Sequence, residues 1–194
     1  NMNFRKHIYL SICTLLWTAA SAYGQQKYEV NKNAHSHNDY RQQRPFYTAF
    51  ENRFASIEID VYLVGSELYV AHDRKDIDTN KTIEALYIRP LLQQIKINGG
   101  KPYKDGGKLQ FMIDLKTAGV PALKVLEAKL KPVRKYFDTG TNPHAVRIVL
   151  SGSVPPPNQF KDFDEIFYFD GRPGINYSPD QLKRIAFFSS AMQQ

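Results

Sequence analysis

The chain alternates between stretches that place apolar residues at every second position and stretches that place them at every third or fourth. That alternation constrains the fold more than any other feature, because strand–helix alternation builds a parallel sheet in an α/β fold. Residues 55–63, rich in Ile and Val, read as a strand. Residues 67–71 make a second short strand after the turn at Gly65-Ser66. Further strands are expected at 109–115, 145–150 and 165–169, with a weaker one at 28–34. Helices are expected at 45–54, with Pro45 in the first turn, and at 82–97, with Thr82 as N-cap and Pro90 as a kink point. A helix at 120–137 carries Leu123, Leu126, Leu130 and Val133 on one face. Ser178-Pro179-Asp180 caps a final helix. The chain shows no internal repeat.

The first residues read as a leader. Arg5, Lys6 and His7 precede a mostly apolar run from Ile8 to Ala20, then the small residues Ser21, Ala22 and Gly24. This is the pattern of a secretory signal peptide, and the run is too short for a comfortable membrane span. Residues 1–24 are therefore expected to be removed, leaving one domain over 25–194 in a periplasmic or secreted protein. Cys13, the only cysteine, lies in that leader. The remaining domain then has no disulfide framework and no thiolate metal site. The formal net charge is +7, falling to +5 once Arg5 and Lys6 leave with the leader, which suits an anionic small molecule or a transient contact with a membrane surface. Basic residues are scattered, and no aromatic–basic pattern points to nucleic acid.

The residues that carry chemistry fall in two short stretches: His35-Ser36-His37-Asn38-Asp39-Tyr40, and Glu58-Ile59-Asp60 followed by His72-Asp73. Glu58 and Asp60 are two apart in a strand, so they share one face, while Ile57, Ile59 and Val61 take the other. Two carboxylates aimed into one site repel unless a cation lies between them. Asn38 has an amide oxygen to offer the same cation. His37 and His72 are candidate acids or bases, with Asp73 placed to orient the His72 ring. Tyr40 reads first as a packing residue. Asp114 and Lys116 share a face of the strand at 109–115. As a bare pair they read as an ion pair; beside the other carboxylates they read as a third metal ligand and a phosphate-binding lysine.

These residues fall near the C-terminal ends of three strands, where TIM-type (β/α) barrels place their active sites. Such a barrel takes ~250 residues, and this chain stops after about its fifth expected barrel strand. Residues 187–194 do not read as a natural domain end. The expected architecture is a TIM-type barrel truncated after about five strands.

The stretch Ser36-His37-Asn38-Asp39-Tyr40 resembles the S-H-N-x-Y of the phosphoinositide phospholipases C. Glu58-Ile59-Asp60-Val61 with Ala71-His72-Asp73 resembles the E-x-D-V and H-D pattern of the glycerophosphodiester phosphodiesterases. The order and spacing of these motifs resemble the PLC-like phosphodiesterase superfamily, and within it a subfamily with H-S-H-N-D-Y near the start. The resemblance implies a TIM-type barrel holding one Ca²⁺ or Mg²⁺. It assigns His37 and His72 as the acid–base pair, and Glu58, Asp60 and Asp114 as metal ligands, with Asn38 as a further ligand. Two departures stand out. The H-R-G of the glycerophosphodiesterases is replaced by His37-Asn38-Asp39, and Asp73 stands where the phospholipases carry glycine.

The expected function is thus an exported, metal-dependent phosphodiesterase acting on a small phosphodiester or phospholipid head group, with Lys116 on the phosphate. One rival is a zinc amidohydrolase-like enzyme using His35 and His37, since imidazole suits zinc. The other is a non-catalytic or inactive fragment.

Overall fold

The computed structural model describes residues 29–117 and 119–189. Residues 1–24, read above as a leader, and the chain end from 190 lie outside the described residues. Seven strands form one sheet: β1 (Asn31–Ser36), β2 (Phe54–Val64), β3 (Glu67–Val70), β4 (Gln110–Leu115), β5 (Arg147–Gly152), β6 (Phe167–Gly171) and β7 (Ile185–Phe188). Their order is β1-β2-β4-β5-β6-β7, and every neighbouring pair along that path is parallel. β3 folds back antiparallel on the end of β2 through a turn in which Gly65 adopts φ +62°, a conformation that favours glycine.

Helices are few. α1 (Tyr47–Glu51) joins β1 to β2. α2 (Arg89–Ile97) follows a π-helical turn at Glu84–Ile88, and Thr82 Oγ1 caps this helix by accepting the Ala85 N–H at 3.1 Å. Pro90 sits in the first turn of α2, where its missing N–H costs nothing, so it does not break the helix. α3 (Gly119–Leu130) tightens into a 3₁₀ turn at Lys131–Tyr136, where Pro132 enters. α4 (Pro179–Leu182) is one turn closed by a capping box between Ser178 and Gln181.

Strand alternation divides the sheet into two faces. Ile57, Ile59, Val61, Phe111, Ile113, Leu115, Ile148, Leu150, Phe167 and Phe169 are buried in one apolar cluster with Leu91, Ile95, Leu123, Leu126 and Leu130 of the helices. Phe111 is central to it, with Phe46 and Tyr87 meeting it edge-on at 6.3 and 6.0 Å between ring centroids. The opposite face carries Ser56, Glu58 and Asp60 on β2, Gln110, Met112 and Asp114 on β4, and Arg147, Val149 and Ser151 on β5, in matched register.

The expected truncated TIM-type barrel of about five strands is not what forms. Six parallel strands curl into an open half-barrel with little helix between them. The strand missing from the sequence reading is β7. Its four residues follow a one-turn helix and offer too short a pattern to separate from it. Arg184 sets the break, donating to the carbonyl oxygens of Phe160, Phe167 and Asp164 at 2.7–3.0 Å. The shortage of helix also has a local cause. Pro155-Pro156-Pro157 removes three successive amide donors, so the β5–β6 connection contains only the 3₁₀ turns at Pro157–Asp162.

Phe111→Ala should cost about 3–5 kcal/mol, because a 1 %-exposed ring is removed from a packed cluster. Urea unfolding followed by far-UV circular dichroism measures this as a lower midpoint with an unchanged slope.

Candidate functional site

Register builds the site. β2 pairs with β4 so that Asp60 stands opposite Asp114 and Glu58 opposite Met112. Alternation puts Glu58, Asp60 and Asp114 on one face. An oxygen from each carboxylate lies within 4.8 Å of one from each of the others, and this is the one cluster of three or more His, Cys, Asp or Glu groups close enough to hold a metal ion among the described residues. Asp114 owes its position to Gly152 on the neighbouring strand. Gly152 has φ +73°, and a Cβ there would fall 2.2 Å from Asp114 Oδ1 and 2.7 Å from the Leu115 carbonyl oxygen.

Lys116 follows on the same face. Its Nζ lies 3.2 Å from Asp60 Oδ1 and 3.5 Å from Asp114 Oδ1. Burial lowers the ammonium pKa, but the two carboxylates outweigh it and leave the pKa raised.

The β2–β3 hairpin brings the second histidine to the same place. Val61 pairs with Val70, so the chain leaves β3 beside Asp60. His72 Nδ1 then lies 3.0 Å from Asp60 Oδ2, and Tyr62 donates its hydroxyl to the His72 carbonyl at 3.0 Å. With Asp60 accepting at Nδ1, the neutral ring carries its proton there and presents Nε2 as an acceptor. Asp73, expected to orient this ring, is exposed and makes no side-chain hydrogen bond among the described residues. Its place is taken by Asp60, because the ring turns back toward β2.

Tyr40 is more than a packing residue, because its hydroxyl stands at the junction of the site. It lies 2.7 Å from Asn38 Oδ1, 2.7 Å from Asp60 Oδ2 and 3.2 Å from His72 Nδ1. Its one hydrogen serves one acceptor at a time. Burial first, and then the bond to Asp60, raises its pKa above the usual phenol range. Asn38 sits in the left-handed region at φ 50°, which lets its backbone N–H donate to Glu58 Oε2 at 2.5 Å.

The loop that presents His37 and Asn38 hangs on Asp39, which is fully buried. Its Oδ1 accepts from the Ser36 hydroxyl at 2.7 Å, and its Oδ2 accepts from the Phe46 N–H at 2.6 Å and the Tyr87 hydroxyl at 3.0 Å. The sequence reading assigned no role to Asp39. The available signal was a serine three residues before an aspartate, the spacing of a local side-chain hydrogen bond. His37 is exposed, and its ring centroid lies 6.5 Å from that of His35. His35 Nδ1 lies 2.9 Å from Ser56 Oγ on the neighbouring strand, and burial followed by the charge of His37 lowers its pKa.

The carboxylates share charge unequally. Burial, then a hydrogen bond with Asp60, pushes the Glu58 carboxyl up to about 8. Burial acts on Asp60 in the same direction, but bonds from Tyr40, Glu58 and His72 and the charge of Lys116 prevail, so its pKa ends below the ordinary value.

Residues 27–159 match the model of the AIM6-like phosphodiesterase domain. The chain belongs to that family. Every residue of the site described above falls inside the match. The chain is 31 % identical over 163 residues to "Altered inheritance of mitochondria protein 6 homolog" of Arthroderma benhamiae, covering 71 % of this chain and 52 % of that one. It is 30 % identical over 175 residues to "Altered inheritance of mitochondria protein 6" of Kluyveromyces lactis, covering 72 % and 42 %. A protein of the same name in Eremothecium gossypii is 32 % identical over 148 residues, covering 65 % and 38 %. The chain thus spans about half the length of these relatives, or less. No solved structure matches it.

Membership of this family agrees with the resemblance to the PLC-like phosphodiesterase superfamily. It also corrects one expectation. A periplasmic or secreted bacterial protein does not agree with relatives whose printed names refer to the inheritance of mitochondria.

Asp39→Ala should destabilise the fold by on the order of 3 kcal/mol, because three buried donors lose their acceptor together. Thermal melting should show the loss. A melting temperature equal to that of the parent would mean that the loop does not depend on this carboxylate.

Proposed function

We propose that this chain is a metal-dependent phosphodiesterase that works by histidine acid–base catalysis. The observation that carries the reading is the convergence of Glu58, Asp60 and Asp114 in an all-oxygen cluster beside His72. The donor set fits a hard cation. Carboxylate oxygens are the ligands that Ca²⁺ and Mg²⁺ prefer, and Lys116 is the only cation beside them among the described residues. Glu58, Asp60 and Asp114 would hold one such ion, with Asn38 at the edge of the same site. When bound, the ion would supply charge to polarise a phosphoryl oxygen and to lower the pKa of an attacking hydroxyl or water.

The chain's own groups do the rest. His72 Nε2 takes the proton of the attacking hydroxyl, while Asp60 steadies the imidazolium that forms at Nδ1. His37, exposed next to Asn38 in the same loop, would deliver a proton to the leaving oxygen. Lys116 offsets the negative charge of the phosphoryl group. Tyr40 keeps Asp60 and the His72 ring in register. The substrate class is a small phosphodiester or a phospholipid head group. Where the substrate carries a neighbouring hydroxyl, internal attack gives a cyclic phosphodiester; where it does not, water attacks. The zinc amidohydrolase-like alternative has less support, since His35 and His37 join no third metal-ligating group among the described residues.

Hydrolysis of bis-p-nitrophenyl phosphate tests the reading. Activity should require Ca²⁺ or Mg²⁺, vanish with EDTA and return on adding the metal. His72→Ala and His37→Ala should each lower kcat by about 10²–10⁴-fold, the range of a lost general acid or base, with the fold retained by circular dichroism. Activity restored by zinc alone would sink the proposal.

Metal affinity should depend on pH with a definite sign. The Glu58 carboxyl keeps its proton up to about 8, so a cation must displace that proton at neutral pH. Apparent affinity should therefore rise as pH is raised from about 6 to 9, then level off. Calorimetric titration with CaCl₂ measures it, and a flat profile would show that Glu58 holds no proton against the cation in this range.

A further inference from the structure

The face of the sheet that carries the three carboxylates extends onto β5, and there it holds a group the proposed chemistry does not use. Ser151 is 3 % exposed, and its Oγ has no hydrogen-bond partner. Asp60 Oδ1 also lacks a hydrogen bond but has the Lys116 ammonium 3.2 Å away, and each of the other buried polar residues bonds through at least one side-chain atom. Ser36 donates to Asp39, and Asp39 receives three donors. Glu58 accepts from Asn38, and Asp60 contacts Tyr40, His72 and Lys116. Asp170 accepts from Ser189. Ser151 alone among them is left with a hydroxyl that finds nothing within the described residues.

Register states where that hydroxyl faces. Asp60 pairs with Asp114, and Asp114 pairs with Ser151, so the three form one row across three adjacent parallel strands. Paired residues point to the same side. Ser151 therefore lies on the carboxylate side of the sheet, on the flank away from β3, one strand spacing, about 4.8 Å, beyond Asp114, with its Oγ covered rather than open. It does not bond to Asp114, whose Oδ1 leans over Gly152, the residue after Ser151. Residue 152 has no side chain, which leaves room for that lean. A donor left free in a row of carboxylates is suited to an acceptor that arrives from outside.

We propose that Ser151 Oγ donates a hydrogen bond to a non-bridging phosphoryl oxygen of the bound phosphodiester, making it a substrate-binding residue of the site. This rests on the phosphodiesterase reading above. The phosphoryl group would lie over the row, with Lys116 on one side and Ser151 on the other. Two different donors would then hold two of its oxygens and orient the remaining pair of bonds toward the histidines. No covalent step involves Ser151.

The test compares the parent chain with Ser151→Ala and Ser151→Cys. The second variant keeps the volume and loses the strong donor. Inorganic phosphate, titrated calorimetrically in the presence of MgCl₂, is the probe. Both variants should bind it about 10- to 100-fold more weakly, the value of one hydrogen bond to a charged group. Both should melt at the parent temperature or above, because no internal hydrogen bond is lost with the hydroxyl. A merely structural serine would instead lower the melting temperature and leave phosphate affinity unchanged. Unchanged affinity in the cysteine variant, or no phosphate binding by the parent chain, overturns the proposal. Bis-p-nitrophenyl phosphate hydrolysis by the parent is read separately. Phosphate binding that depends on Ser151 in a chain without turnover would sink the catalytic reading and leave this binding role standing.

Discussion

Three carboxylates held on one face by strand register are the constraint that the rest of the site answers to. At an effective dielectric near 20, two unit charges 4 Å apart repel by about 4 kcal/mol, so Glu58, Asp60 and Asp114 cannot stand together without compensation. The structure supplies it from several directions. The Lys116 ammonium lies between Asp60 and Asp114. Tyr40 and His72 bond to Asp60, and the Asn38 N–H bonds to Glu58. Glu58 retains its proton well above the ordinary carboxylate range. Each of these is a local device, and together they keep a strained electrostatic arrangement in a buried place. An arrangement of that kind is more readily explained by function than by stability, since an apolar row on the same strands would fold at less cost.

A second buried carboxylate serves the first three. Asp39 closes the loop between β1 and α1 by accepting from Ser36, Phe46 and Tyr87. The loop is strained at both ends: Asn38 has φ 50° and Phe46 has φ 65°. A bulky residue in that region costs of order 1–3 kcal/mol. The Phe46 side chain is fully buried, stacked on Phe50 at 4.9 Å and set edge-on to Phe111. Core packing and the Asp39 bond together hold the loop in a shape it would not otherwise keep. What the loop gains is the placement of the Asn38 N–H against Glu58 and of the Asn38 oxygen against Tyr40.

The two ends of the sheet differ in what they contribute. The family match stops at residue 159, so β1 to β5 carry all the site residues while β6 and β7 lie beyond it. β6 and β7 still support the apolar layer. Phe169 stacks on Phe160 at 3.7 Å, and Arg184 lies over Phe169 while its guanidinium caps three carbonyl oxygens. The candidate site is thus concentrated in the strands the family shares, and the later strands extend the face it sits on.

Six of the seven strands, the shared face of Glu58 and Asp60, and the pairing of Asp114 with Lys116 were legible in the sequence. They follow from a period of two and from local composition, which any short window reveals. The same holds for the Thr82 and Ser178 caps, which are local side-chain hydrogen bonds. Closure of the sheet was not legible. It depends on how far the curl accumulates over strands distant in sequence, and β7 was too short to show a period of its own. The partner of His72 was not legible either. Asp73 is its neighbour in the chain, but the β2–β3 hairpin hands the ring to Asp60. The roles of Tyr40, Asp39, Gly152 and Ser151 were likewise decided only by tertiary structure. Each is set by contact across strands or loops, where a single sequence carries residue types but no distances.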